Sequence, residues 1–215
     1  GSAAAERAHH WEAAGTPTRA LDEAMRAVAE TNARLAPGEA LAHLERVLRL
    51  CDRVPDPTEI VGTDRASLME RAGDAAIAAG RYERASELLR AARHELGDGG
   101  EPHRLALVVA QLSVAERLGG RLEEANTLID EAARIIPAEP PTPELAFVLA
   151  RQAYDWIGTR HEVSGLVPLA HRAVAVAAAV DRPADEAVAL MALGWGLVYA
   201  TGEDDEEGLA AYRRA

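Results

Sequence analysis

The sequence predicts an all-α fold, a right-handed superhelical solenoid of about eleven helices in antiparallel pairs. Apolar residues recur with the 3.6-residue period of amphipathic helices, and no alternating β-branched run indicates a strand. Of the 215 residues 48% are hydrophobic, yet the aromatic ones are only one Phe, three Trp and four Tyr. Such a core of small aliphatic side chains favours closely packed helices over sheets. An internal repeat, described below, is the third observation.

Residues that start and stop helices set the boundaries. Gly15, Gly80 and Gly119-Gly120 lie where a helix ends in a left-handed residue. Thr16-Pro17 and Thr142-Pro143 each place a hydroxyl N-cap before a proline suited to the first helical position. We therefore expect helices over 4–14, 17–35, 38–53, 64–79, 81–96, 102–118, 121–136, 142–158, 161–180, 184–201 and 204–215.

The chain repeats itself with a period of about 40 residues. The segment Gly80-Arg81-Tyr82-Glu83-Arg84-Ala85 matches Gly120-Arg121-Leu122-Glu123-Glu124-Ala125. A degenerate third copy lies near Arg160-His161-Glu162, and a fourth begins at Asp205. Because each helix pair can bury its apolar faces only against its neighbours, this repeat predicts a solenoid that functions through a groove.

The copies resemble tetratricopeptide repeats, which place a small residue in the first helix, a glycine in the turn and two alanines in the second helix. The residues at those places are Gly73, Gly80, Ala85 and Ala92 in one copy, Ser113, Gly120, Ala125, Ala132 and Pro137 in the next, and Trp195-Gly196, Tyr199, Gly208 and Tyr212 in the last.

The N-terminal segment carries a more specific resemblance. It reads Ala8-His9-His10-Trp11-Glu12-Ala13-Ala14-Gly15, then Arg19-Ala20-Leu21, then Ala36-Pro37-Gly38-Glu39-Ala40-Leu41. These strings are similar to the segment after the ATPase module in large ATP-binding LuxR-family regulators, which resemble the maltose-regulon activator, and in related actinobacterial signalling ATPases. The resemblance implies a non-catalytic sensor arm for transcription regulation. Its partners would be the parent regulator's other domains and an inducer or protein effector.

We expect residues 1–2 to be an expression-tag scar, residues 3–55 an N-terminal helical docking segment, and residues 56–215 tetratricopeptide-like repeats with the last one truncated. The chain would then be a fragment of a longer protein. Charge follows the same division, because residues 1–55 hold 7 Arg and 8 acidic residues and residues 56–215 hold 16 and 27.

Composition excludes several functions. All 23 basic residues are Arg, and 35 Asp and Glu give a net charge of −12. Without lysine the chain cannot supply a P-loop or a Schiff base, and its charge argues against direct binding to nucleic acid. The one cysteine, Cys51, cannot form an internal disulfide, and no apolar run reaches about 18 residues. We therefore expect a cytoplasmic protein with no membrane partner.

No motif predicts a metal, a cofactor or a catalytic residue. His9 and His10 point about 100° apart on a helix, so packing beside Trp11 is the favoured interpretation. His94-Glu95 and His161-Glu162 lack the second histidine of a zinc-protease helix. An enzyme of unknown mechanism stays as a third hypothesis, which would need convergent titratable side chains in a pocket.

The repeat register predicts which residues face the groove. Acidic residues would form its entrance and aliphatic ones would form a strip. Trp156, Trp195 and Tyr199 would either stack on a ligand or pack in the core. These candidates are Ser67, Glu70 and Asp74, then Leu107, Val114 and Arg117, then Leu190, Leu193 and Leu197, with Arg151 or Asp155 as polar neighbours of Trp156. Such a groove suits an amphipathic helix or an apolar ligand that bears a cation. The alternative function is a protein-interaction scaffold of a cyclase or kinase type, without a small ligand.

Overall fold

The computed structural model describes residues 3–32, 36–97, 99, 101–157, 165–201 and 206–215. Those residues form twelve helices and no strand, which confirms the all-helical prediction. The one-turn helix α4 is the element that the sequence pattern did not predict. The helices are α1 (Ala3–Ala13), α2 (Pro17–Asn32), α3 (Pro37–Cys51), α4 (Thr58–Val61), α5 (Arg65–Ala78), α6 (Tyr82–Leu96), α7 (Pro102–Leu118), α8 (Leu122–Ile135), α9 (Pro143–Trp156), α10 (Leu166–Ala179), α11 (Pro183–Thr201) and α12 (Glu206–Arg214).

Side-chain caps explain where some of the helices begin. The Thr142 hydroxyl accepts a hydrogen bond of 3.2 Å from the backbone N–H of Leu145, as predicted for the start of α9. Asp64 caps α5 by accepting from the N–H of Ser67 at 2.7 Å. Thr16 differs from the prediction, because its hydroxyl donates to the carbonyl of Trp11 at 2.9 Å. It therefore closes the turn after α1.

The two repeated turns have the same backbone structure. Gly80 and Gly120 have φ angles of 71° and 83°, in the left-handed region that glycine adopts without strain. At each turn the glycine N–H and the following arginine N–H donate back to carbonyls of the preceding helix, with N···O distances of 3.0 and 2.8 Å. This double hydrogen bond is the Schellman motif. The matched sequence segments therefore fold into matched turns.

The helices group into two compact units, unit 1 with residues 1–99 and 114–121 and unit 2 with residues 100–113 and 122–215. The division between the units falls within α7. This division does not test the predicted boundary at residue 55. The docking segment 3–55 and the repeat region 56–215 therefore stay predictions.

In unit 1, helix α5 packs closely against α6, and α3 packs against α5. Gly73 allows this approach, because a Cβ atom there would lie 2.7 Å from Cγ of Leu89. Ala85 and Ala92 of α6 are fully buried. The small residues at the repeat positions of this copy therefore lie where α5 and α6 pack closely together.

A buried carboxylate joins three parts of unit 1. The Glu116 side chain has no exposed surface and contacts Arg90 at 2.6 Å and also Arg121, which in turn donates to Ser86 at 3.2 Å. Burial opposes ionisation, but the hydrogen bonds from Arg121 and Ser86 and the charge of Arg90 outweigh it and lower the pKa of Glu116. The ionised, paired carboxylate thus fixes the end of α7 against α6.

Unit 2 has its own core where α9, α10, α11 and α12 pack together. Its buried residues are Ala153, Leu166, Ala170, Leu190, Ala192, Leu193 and Ala211. Gly194 is the small residue at the crossing of α11 and α12, since a Cβ there would lie 3.0 Å from the Gly208 carbonyl oxygen and the Tyr212 ring. Gly196 instead faces Leu166 and Val167 of α10. The structure therefore corrects the predicted register of the last repeat by two residues.

Candidate interaction groove

Unit 1 contains an open groove of about 510 Å³ along α5. One wall comes from the end of α2 and the start of α3, and the other comes from α5. Alanines at positions 40, 75 and 78 leave the space between these walls. The lining residues are Thr31, Ala36, Pro37, Ala40, Leu44, Arg71, Asp74, Ala75 and Ala78. The volume lies within the range of about 300–1,000 Å³ that ligand sites of proteins have.

Asp74 gives this mainly apolar groove an acidic group. Burial raises the pKa of Asp74 from its ordinary 3.8 to about 6, and the negative charge of Glu70, one turn earlier on α5, adds to the effect. By surface area Asp74 is exposed, so its carboxylate contacts solvent at the groove opening. Burial and the charge of Glu70 disfavour the ionised carboxylate of Asp74. A cation beside Asp74 would favour it.

Arg71 lines the same groove one turn before Asp74. The groove therefore presents a carboxylate and a guanidinium on one helix, with aliphatic side chains opposite. This arrangement can orient a bound segment that carries both a charge and a methyl-rich surface, because the charges fix direction and the apolar walls supply contact area. Glu70 and Asp74, both predicted from the repeat register, thus lie on the helix that borders the groove.

The candidates on α7 are half-buried. Leu107 belongs to unit 2, whereas Val114 and Arg117 belong to unit 1. Their role as groove residues stays a prediction.

In unit 2 most of the predicted residues serve packing. Asp155 is buried, and Trp156 packs against the core, so close to Gly165 that a Cβ there would lie 2.7 Å from its ring. Leu193 is 5% exposed and belongs to the core, and Leu197 packs against it. The structure therefore assigns these four residues to helix packing, and Trp156 follows the core alternative.

Arg151 is the remaining candidate of unit 2. Its guanidinium lies over the ring of Phe147, 5.4 Å from the centroid. This distance permits a cation–π contact between residues one turn apart on α9. Arg151 thus already uses one face of its guanidinium within the helix.

The two-residue register correction adds Met191 to the predicted candidates Trp195 and Tyr199 on α11. On α5, Ser67 lies six residues before Gly73 and Glu70 lies three residues before it. Asp74 follows Gly73 directly. The same offsets from Gly194 on α11 give Val188, Met191 and Trp195. Met191 is 41% exposed, and Trp195 stacks on Tyr199 with ring centroids 4.9 Å apart. Met191 and Tyr199 are therefore exposed on α11, whereas Trp195 packs partly against the core of unit 2.

The described residues offer no obvious site for other chemistry. Within them, no group of three His, Cys, Asp or Glu side chains is placed to hold a metal ion. None of the described helices is both long and apolar enough to cross a membrane. His161 and Glu162, as well as Glu203 to Asp205, lie outside the described residues.

Helix pairs with these turns and small packing residues form a helical-repeat fold of the tetratricopeptide-like type. The chain is similar to a solved structure of the putative kinesin light chain TPR-like repeats of Podospora anserina, with 18% identity, a TM-score of 0.63, and 92% of this chain and 94% of that one covered. A variant of the same repeats gives a TM-score of 0.64. BtubC (BKLC) from P. vanneervenii is 15% identical, with a TM-score of 0.59 over 100% of this chain and 90% of that one.

No family model and no curated protein sequence matches the chain. At the identities of the solved structures, the similarity establishes the fold and confirms the tetratricopeptide-like prediction.

Proposed function

We propose that the chain is a non-catalytic interaction domain that binds a cationic, partly apolar partner segment in the groove of unit 1. The observation that carries this proposal is Asp74, an exposed carboxylate that lines an open, mainly apolar groove. An arginine or lysine of the partner would pair with it, and small aliphatic side chains on either side of that cation would fill the space beside Ala75 and Ala78. The net charge of −12 would also attract a basic partner.

The parent protein that we propose is a cytoplasmic LuxR-type ATP-binding transcription regulator. Support for this context comes from the N-terminal resemblance, in the strings around Trp11 and Pro37. In such a protein the domain would sense an inducer or an intramolecular partner and pass the signal to the ATPase module, which requires different affinities for two states of the whole protein.

A second candidate is a scaffold in a cyclase or kinase type of signalling protein, with a protein segment as its sole ligand. The groove favours this candidate in one respect, because it is open along its length and does not enclose a small molecule. Thermal-shift screening against metabolites separates the two. A small ligand at 100 times its dissociation constant should stabilise the chain by about 2.7 kcal/mol, whereas a scaffold would show no shift with any metabolite.

The groove proposal is tested with a fluorescent twelve-residue alanine–leucine helical peptide that carries two arginines. Its matched control has citrulline, which is neutral and nearly isosteric, at both places. We expect the arginine peptide to bind about tenfold more tightly than the citrulline peptide, and Asp74→Asn to remove that difference. Asp22→Asn, an exposed change on α2, is the matched control variant.

The pH dependence adds a second readout. Because the cation needs an ionised partner, binding of the arginine peptide should weaken as the pH falls through about 6, the pKa of Asp74. Equal affinity for both peptides, or an Asp74→Asn variant that still prefers arginine, would contradict the proposal.

A further inference from the structure

Unit 2 has a cleft of about 480 Å³ between α8, α9 and α10. Its lining combines charged and apolar side chains from all three helices. The residues on which its recognition properties depend are Asp130, Arg134, Leu149, Gln152, Leu169 and Arg172. We call it the arginine cleft. It shares no lining residue with the Asp74 groove, and the two sites belong to different units.

The two arginines of the cleft carry positive charge that no carboxylate of the described chain neutralises. Nε of Arg134 donates to the backbone carbonyl of Asp130 at 3.2 Å, and Nη2 of Arg172 donates to the carbonyl of Ala138 at 3.2 Å. Both acceptors are neutral, and neither arginine forms an ion pair with a described residue. Because a guanidinium has five N–H donors, most of the donors of each arginine are left for a ligand.

One carboxylate, that of Asp130, also lines the cleft. It is half-buried and accepts a hydrogen bond of 3.2 Å from the side-chain amide of Gln152. The charged lining residues are therefore two arginines and one aspartate, with a net charge of +1 in a chain of −12. Arginine stays protonated throughout the physiological pH range, so this positive charge does not depend on the titration of any group.

A cleft of unit 1 between α3, α5 and α6 shows the opposite arrangement. Its Arg65 pairs with Asp52 at 2.6 Å, and its Arg84 pairs with both Glu45 and Glu87 at 2.6 Å. In that cleft the chain's own carboxylates already occupy the guanidinium groups. In the arginine cleft the corresponding pairs are not made, so carboxylates of another molecule can make them.

We propose that the arginine cleft binds an acidic, partly apolar partner segment. Its carboxylates would pair with Arg134 and Arg172, and an apolar side chain would contact Leu169, which is half-buried. Charge complementarity selects this occupant, and both arginines are exposed, so a protein segment can reach them. Because the two guanidinium groups come from different helices, two acidic side chains of one segment can be paired at once. The cleft therefore prefers the charge opposite to that preferred by the Asp74 groove.

The probe is a fluorescein-labelled twelve-residue alanine–leucine helical peptide that carries two glutamates. Its matched control has glutamine, which is neutral and nearly isosteric, at both places. By anisotropy at pH 7.5 we expect the glutamate peptide to bind about fivefold more tightly, because each exposed ion pair contributes only a few-fold. The preference should shrink in about 0.5 M sodium chloride, which screens exposed charges.

Variants locate the binding site of the peptide. Arg134→Gln and Arg172→Gln should each reduce the preference for glutamate about twofold, and the double variant should abolish it. Arg213→Gln is the matched control, because it removes the same charge from an exposed position on α12 outside the cleft. This control should retain the preference. Asp74→Asn should retain it as well, which separates this proposal from that of the groove.

The wild-type chain provides a test that needs no variant. Saturation with the glutamate peptide should shift the arginine side-chain NMR signals of Arg134 and Arg172 and the amide signals around Gln152. Equal affinity for the two peptides, an unchanged preference in the double variant, or an equal loss with Arg213→Gln would overturn the proposal. Tighter binding of a labelled single-stranded oligonucleotide than of the glutamate peptide would assign the cleft to nucleic acid and overturn it as well.

Discussion

Helices α5 and α11 carry equivalent stripes in the two units, yet the stripes differ in chemistry. On α5 the stripe holds Glu70 and Asp74 beside small aliphatic residues, whereas on α11 it holds Met191, Trp195 and the neighbouring Tyr199. Unit 1 thus presents carboxylates along this stripe, and unit 2 presents the exposed Met191 and Tyr199 beside a half-buried Trp195. One repeat architecture can therefore vary its binding properties by changing a few exposed residues while the packing positions stay small.

The difference also shows what sets the exposed face of a repeat helix. In α5 a single glycine, Gly73, marks the crossing with α6, so its neighbours are assigned without ambiguity. Helix α11 contains both Gly194 and Gly196, and each lies against a different helix. Because residues two apart on a helix point about 200° apart, choosing the wrong glycine exchanges the buried face for the exposed one.

The largest expected effect comes from two residues on opposite faces of α11. Leu193→Ala should destabilise unit 2 by about 3 kcal/mol, because it leaves a cavity in the core. Met191→Ala should cost less than about 1 kcal/mol, because its side chain is largely exposed. Urea unfolding of both variants measures this difference, and similar losses would contradict the corrected register.

The two glycines of α11 provide a finer comparison. A methyl group at Gly194 would press on the backbone carbonyl of Gly208, so Gly194→Ala should cost about 1–2 kcal/mol after the gain in helix propensity. Gly196→Ala meets only side chains of α10 at 3.1–3.3 Å, which can adjust, and should change stability by less than about 0.5 kcal/mol. If urea unfolding showed a larger loss of stability for Gly196→Ala than for Gly194→Ala, Gly196 would be the residue at the crossing of α11 and α12.

A third prediction, smaller than the effects of Leu193→Ala and Gly194→Ala, tests the environment of Asp74. Its folded-state pKa is raised, so the folded chain binds a proton more tightly than the unfolded chain, and ionisation above about pH 6 costs stability. Asp74→Asn should therefore stabilise the chain at pH 7.5 by about 1 kcal/mol, a value discounted for solvent exposure. The gain should shrink as the pH is lowered toward 4. A loss of stability at pH 7.5 would contradict the destabilising effect of ionisation at this position.

Much of this fold could be predicted from the sequence because its determinants are local. Glycine in the turns and the threonine cap of α9 act within a few residues, and the alanines of α6 follow a short repeat pattern. With such local signals, the sequence predicted nearly every helix end to within a few residues of its observed position. The one-turn helix α4 escaped prediction because it is too short to show a period.

The remaining features depend on residues distant in sequence. The Glu116 pairs bring together α6 and the end of α7, and no periodicity marks a buried carboxylate. The groove needs Ala40 opposite Asp74. Such juxtapositions follow from tertiary packing, so the sequence predicted Asp74 as a groove residue without predicting its opposite wall.

Binding of a cation by the groove of unit 1 is tested most directly by mapping amide chemical-shift changes as the arginine peptide is added to the isotopically labelled chain. We predict the largest changes along α5 around Asp74 and across the groove near Ala40, with none of that pattern for the citrulline peptide. Changes centred on Trp195 and Tyr199 instead, or identical maps for the two peptides, would contradict the account.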